Sequence, residues 1–137
     1  MRFELVSPER RLASKDVTAI RIPGADGDLT AMDGHTPVIT TLRPGVLTIE
    51  ADGGEERYAV TGGFAEIGPE STTVLAERSL PVDDVSQDTY SDWLADAQRA
   101  RDEAPEDGVD SAVKLVEDMV AMGGHIGLDP NQSSFDR

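Results

Sequence analysis

Cysteine is absent from the 137 residues, which excludes a disulfide framework, a thiolate metal site and a thiol nucleophile. Positive charge is scarce. Only 12 lysines and arginines stand against 27 aspartates and glutamates, giving a net charge of −15 and a pI near 4.3. Phosphate binding needs clustered cations, so nucleic acid is excluded as a partner and anionic membrane surfaces are disfavoured. No apolar run approaches the roughly 18 residues that a membrane span requires, so direct membrane insertion is not expected. The opening "MRFELVSPERR" has neither the apolar centre of a signal peptide nor a transit-peptide composition. What remains is a soluble, cytoplasmic protein of one domain, or one domain with an appendage. A mean hydropathy of −0.34 and 38% hydrophobic residues are compatible with a modest core.

Two halves follow different periods. Up to about Pro81, short β-branched runs alternate with turn residues: "FELVS", "VTAIRIP", "VITTL", "VLTIEA", "RYAVTGGFAEIG" and "STTVLAE". Turn signals at "RPG", "DGGEE" and "GPES" separate them, which predicts an all-β sandwich or barrel. The pair Gly62-Gly63 within a strand run predicts a bend where the chain passes from one sheet to the other. After "LPVDD" the period becomes helical. Tyr90, Trp93, Leu94, Ala97 and Ala100 form one apolar stripe, with Ser86 or Asp88 as N-cap. "APEDG" breaks the helix at Pro105 and Gly108. A second stripe, Ala112, Val113, Val116, Met119 and Val120, starts at an Asp110 cap and is expected to end at Gly123-Gly124. The two helices predict an antiparallel hairpin. Trp93 is expected in the core, where it holds the hairpin together or fastens it to the sandwich.

The expected organisation is a β-sandwich over 1–82, a helical hairpin over 83–124 and a disordered tail over 125–137, whose apolar content is too low to fold. Charge divides unevenly between the halves. Residues 1–82 carry 13 acidic and 8 basic groups, net −5, whereas residues 83–137 carry 14 and 4, net −10.

Candidate chemistry is thin. His35, close in sequence to Asp28 and Asp33, could form an acid–base pair or part of a metal site, but such a site lacks further ligands and a nucleophile to activate. The other histidine, His125, falls in the expected tail. Ser7, Thr36 and Thr40 read as ordinary strand or turn hydroxyls. "PGADGDL" and "ADGGEER" look superficially like phosphate loops, yet neither leads into a helix, neither carries a P-loop lysine, and both contain repelling carboxylates. The aspartates between Asp83 and Asp118 do not have calcium-loop spacing and read as a solvated helix face. From the residues alone the chain is an interaction module with no cofactor and no catalytic group.

The order of motifs is more specific. "LVSPERR", "IPGADGDLTAMDGHTPVITTLRPGVLTI", "YAVTGGFAEIGPESTTVLAE" and the helical hairpin resemble the epsilon subunit of F-type ATP synthases. The resemblance is ordered and motif-dense from residue 5 to residue 78. It implies a ten-stranded β-sandwich followed by two antiparallel helices, mainly β with a C-terminal α part. It also implies a non-catalytic part of the rotating central stalk, clamped to the gamma subunit and resting on the ring of c subunits. Such a protein is peripheral on the cytoplasmic face of the bacterial inner membrane and couples proton-driven rotation to the catalytic head.

Carried over by position, Ser7, His35 and Thr40 are implied gamma contacts. Asp28 stands where the family usually has glutamate facing the ring, and the turn of Met32, Asp33 and Gly34 is implied at the ring as well. The needed property is a rigid sandwich gripped on two sides, with an apolar patch larger than a monomer normally exposes. Three departures stand out: "TAMDGHTP" puts Asp33 where proline is common, the second helix is acidic with Lys114 as its one cation, and "DDVSQDTYSDW" lacks the arginine of relatives that bind ATP. The competing expectation is a regulatory ATP-sensing or hydrolysis-inhibiting module that acts on the alpha/beta head through its hairpin.

Overall fold

The computed structural model describes residues 1–131 and divides into two compact units, Met1–Val82 and the part from Asp83 onward. Ten strands build the first unit: β1 (Arg2–Val6), β2 (Arg11–Asp16), β3 (Ala19–Gly24), β4 (Gly27–Ala31), β5 (Val38–Thr41), β6 (Gly45–Ala51), β7 (Gly54–Val60), β8 (Gly63–Ile67), β9 (Ser71–Ala76) and β10 (Ser79–Pro81). The first sheet has the order β2-β1-β9-β8-β5 and the second the order β10-β7-β6-β3-β4. Only β1 and β9 run parallel; every other named pairing is antiparallel.

Alternation decides what fills the space between the sheets. Phe3 and Leu5 of β1, Ile20 and Ile22 of β3, Leu47 and Ile49 of β6, and Val74 of β9 are all at most 1% exposed and form one core cluster. Each contributes about 1.5–3 kcal/mol of transfer free energy. Arg21, between Ile20 and Ile22, points to solvent as its parity requires. The turn "DGG" joins β6 to β7 with Asp52 at φ 46° and Gly53 at φ 79°, the doubly positive pair that matches strand twist in a two-residue hairpin.

The sheet switch falls at the glycine pair, as the sequence implies. β7 belongs to the second sheet and β8 to the first, with Gly62 in the link between them at φ 154° and Gly63 opening β8 at φ 111°. A Cβ at residue 63 would lie 2.0 Å from the Leu75 carbonyl, so no larger residue fits where the chain crosses over.

The second unit holds α1 (Gln87–Asp102) and α2 (Val109–His125), joined through a 3-10 turn over Glu106–Gly108. Ser86 is the N-cap of α1, and its hydroxyl accepts from the Thr89 N–H at 3.1 Å. Tyr90, Trp93, Leu94 and Ala97 are buried, whereas Ala100, last of the expected stripe, is exposed.

Three expectations for α2 need correction. Gly108, not Asp110, occupies the N-cap position, and Asp110 lies in the first turn. The buried face is Val116, Met119, Met122 and Gly123, while Val113 and Val120 are 36% and 38% exposed. Those two valines lie on a row about a quarter turn round the helix from the buried one, at 100° per residue. The helix also runs through Gly123-Gly124 to His125, and Gly127 at φ 79° supplies the turn that ends it. The expected tail therefore starts too early: residues 126–131 form a hydrogen-bonded turn, and 132–137 lie outside the described residues.

Candidate protein interface

Six of the seven residues singled out in the sequence gather along one side of the sandwich. β4 is the edge of the second sheet and β5 the edge of the first, and the intervening turn of residues 32–37 links them. Asp28 sits near the start of β4, its carboxylate ion-paired with Arg43, whose other terminal nitrogen donates to the Gly24 carbonyl at 2.6 Å. Thr40 of β5 stands beside Gly24, where a Cβ would come within 3.4 Å of its hydroxyl. The Ala25 N–H donates to the Thr41 carbonyl at 2.7 Å, which ties β5 to the β3–β4 turn.

Met32, Asp33, Gly34 and His35 form the turn at the other end of β4. Gly34 adopts φ 86° and its N–H donates to the Pro69 carbonyl at 2.8 Å, anchoring the turn to the β8–β9 hairpin. The Asp33 carboxylate lies 3.0 Å from the Met1 ammonium. The His35 N–H donates to the Met32 carbonyl at 3.1 Å, and its Nδ1 is 2.6 Å from the Thr36 carbonyl. A carbonyl only accepts, so Nδ1 carries the proton in that contact. The acid–base pair of His35 and Asp33 is not formed, because each group is engaged elsewhere. Among the described residues no three His, Asp or Glu side chains are placed to hold a metal ion.

Ser7 stands apart. It forms the β1–β2 turn, where its N–H donates to the Arg10 carbonyl at 2.9 Å, on the far side of the first sheet from β5. An apolar row crosses the outer face between them: Val6 pairs with Leu75, Leu75 with Phe64 and Phe64 with Thr41. Directly paired residues share a face. Leu75 and Phe64 are 41% and 45% exposed, and Ile39, two residues before Thr41, is 69% exposed. A cleft of about 620 Å³ continues the band past Val38 and Ile39 to Pro37, Ile67 and Pro69. None of Phe64, Leu75 and Ile39 was singled out from the sequence. For Phe64 and Leu75 the signal was there, since each is a large apolar residue on the outward parity of a strand whose inward parity is largely apolar. Ile39 had no such signal, because β5 carries Val38 and Thr40 on its other parity.

The remaining titratable network is structural. Lys15 of β2 pairs with Glu56 of β7, joining opposite sheets, and the Tyr58 hydroxyl donates to Glu56 at 2.9 Å. The Lys15 hydrogen bond holds Glu56 below the usual carboxylate range against the opposing effect of burial. Burial, then the hydrogen bond to Glu56, pushes Tyr58 up to about 12. No helix among the described residues is long and apolar enough to cross a membrane.

This two-sheet architecture has a counterpart in a known family. The sequence pattern of the ATP synthase Delta/Epsilon chain β-sandwich domain matches residues 1–82. The ATP synthase epsilon chain of Paracoccus denitrificans is 54% identical over 98% of this chain and 96% of its own length. That of Rhodobacter capsulatus is 51% identical over 93% and 97%. This chain belongs to the ATP synthase epsilon chain family. A chain in the Euglena gracilis mitochondrial ATP synthase OSCP/F1/c-ring structure has the same fold, with a TM-score of 0.64 at 21% identity, over 87% of this chain and 78% of that one. A chain of the Tetrahymena thermophila central stalk/c-ring structure gives 0.60 at 16%, over 90% and 93%.

Proposed function

We propose that this chain is a non-catalytic rotor subunit of an F-type, proton-translocating ATP synthase, which fixes the gamma subunit to the c ring so that ring rotation reaches the catalytic head as torque. The observation that carries this is the apolar band on the outer face of the first sheet, in which half-buried Val6 is continued by exposed Leu75, Phe64 and Ile39. Water-exposed apolar area of that kind is unfavourable unless a partner covers it. Ser7 lies beyond one end of the band, and Thr40 at its other end faces away from it, on the parity of buried Ala65 at the edge strand β5. A partner that crosses the first sheet and wraps the β5 edge touches both; that partner is gamma, and His35 marks where it meets the β4–β5 turn. The ring runs along the β4 edge, where it meets Asp28 at one end and Met32, Asp33 and Gly34 at the other. The two ends are about 13 Å apart at 3.3 Å per residue, so the ring contact is elongated. The two relatives named above are bacterial, which favours a peripheral position on the cytoplasmic face of the inner membrane.

The test is co-purification. Affinity-tagged chain should bring gamma and the c ring with it from solubilised membranes. Replacing Phe64 and Leu75 together by serine should weaken gamma binding by about 30-fold or more, since central apolar anchors cost 2 kcal/mol or more when lost. The variant should keep its sandwich, because both side chains point away from the core. Retention of full gamma affinity by the folded variant would remove the band from the interface. Absence of gamma and ring from the wild-type pull-down would overturn the assignment itself.

A further inference from the structure

The chain beyond α2 turns back on the hairpin. Past His125 it makes a six-residue closure in which the Leu128 N–H donates to the Gly123 carbonyl at 2.8 Å and Gly127 takes φ 79°. That turn returns Asp129 to the first residue of α1, 42 positions earlier. There the Gln87 carboxamide contacts one residue at two points. Its Nε2 donates to the Asp129 carbonyl at 2.7 Å, and its Oε1 accepts from the Asp129 N–H at 3.0 Å. The same Nε2 lies 3.1 Å from the Ser91 hydroxyl, which steadies the amide from its own helix. Asp129 in turn accepts from the Asn131 N–H at 2.8 Å, shaping the loop that presents its backbone.

A second fixed point lies deeper. Tyr90 is fully buried, and its hydroxyl donates to the Met119 carbonyl of α2 at 2.9 Å. Gly123 lies against the same ring, so close that a Cβ there would fall 2.2 Å from the hydroxyl oxygen. Sliding α2 along α1 by one turn, about 5.4 Å, would drive a side chain into Tyr90 and carry Asp129 out of reach of Gln87.

We propose that residues 126–131 form a clasp, in which Gln87 grips the backbone of Asp129 and locks α2 in one register against α1 with the hairpin shut. The grip is on main-chain atoms, so it depends on the path of the chain after α2 and not on the charge of Asp129. It closes the open end of the hairpin, opposite the α1–α2 turn. Separating the helices must first break this paired contact.

Hydrogen–deuterium exchange of the full-length chain reads the clasp directly. In Gln87→Leu, and in a chain ending at Leu128, amides in the last two turns of α2 should exchange about five- to ten-fold faster, the consequence of losing one or two net hydrogen bonds. Asp129→Asn keeps both backbone contacts and should exchange like the parent. Exchange through the sandwich should not change in any variant. Unchanged α2 exchange in both clasp-deficient chains would overturn the proposal. So would faster exchange spread evenly along α1, because Gln87 would then be stabilising its own helix alone.

Discussion

Asp28 is three-quarters exposed, yet its carboxylate is already engaged with Arg43. The identity of residue 28 is legible in the motif "PGADGDL", but its partner is not. The pair depends on the register of β3 against β4 and on the bridge between Gly24 and Leu42, which bring residue 43 back to residue 28. Alternation fixes which face a side chain takes and says nothing of which strand end meets which. Being an exposed pair, it contributes little, so Asp28→Ala should change the stability of the chain by less than about 1 kcal/mol in thermal unfolding. Asp28→Lys places a second cation beside Arg43 and against any basic ring loop. ATP-driven proton pumping by reconstituted membranes should fall further in the lysine variant than in the alanine one, and the deficit should shrink at high salt. Equal pumping by both variants would place the ring contact away from Asp28. His35 teaches the same lesson from the other side: nearness to Asp33 in sequence suggested chemistry, while the fold sends Asp33 to Met1 and His35 to Thr36.

At the scale of elements, β1, β3 and β5 to β9 were readable because turn residues bound most of those runs, whereas β2, β4 and β10 were not picked out from the residues and the count of ten came from the family resemblance. Gly62-Gly63 marked the passage between sheets. The helical glycines misled. Gly123-Gly124 resembles a terminator, but the glycine at 123 answers a steric demand from Tyr90, whose packing against α2 cannot be seen in one dimension. The apolar arc of α2 is wider than the face that α1 covers, so periodicity alone could not say that Val113 and Val120 would be left out. Adjacent glycines with opposite environments make a paired prediction. At Gly124 a Cβ meets nothing within 4 Å, so Gly124→Ala should stabilise the helical unit by roughly 0.5–1 kcal/mol through helix propensity. At Gly123 the same change forces Tyr90 from its place and should destabilise by about 1–3 kcal/mol despite the same propensity gain. Thermal unfolding followed by far-ultraviolet dichroism checks the two signs. Stabilisation by both substitutions would mean that Tyr90 moves aside freely.

Across the whole molecule, charge and shape both bear on what the helical unit can do. Residues 83–137 sum to net −10 against net −5 for residues 1–82, and α2 offers Lys114 already paired with Asp118 at 2.8 Å. A hairpin arm that blocked a catalytic head would need to open, straighten and present cations to acidic surfaces. This one would meet such a surface with like charge, felt over a Debye length of about 8 Å at physiological salt. Length is not an obstacle, because α2 runs on through the glycine pair: it has 17 residues and spans about 25 Å at 1.5 Å per residue. The obstacles that remain are electrostatic repulsion, the burial of Tyr90, Trp93, Met119 and Met122 that opening would undo, and the Gln87–Asp129 contact at the open end. Ending the chain after Val82 keeps every strand, including β10, and removes the helical unit alone. We expect the assembled enzyme to hydrolyse ATP at a rate within about two-fold of the parent after that truncation, a barrier change near 0.4 kcal/mol. Assembly and proton pumping should persist, because the apolar band and the β4–β5 edge lie wholly in the retained part. A several-fold rise in hydrolysis would show that the hairpin restrains the head despite its charge, and would favour the regulatory reading over that of a plain coupler.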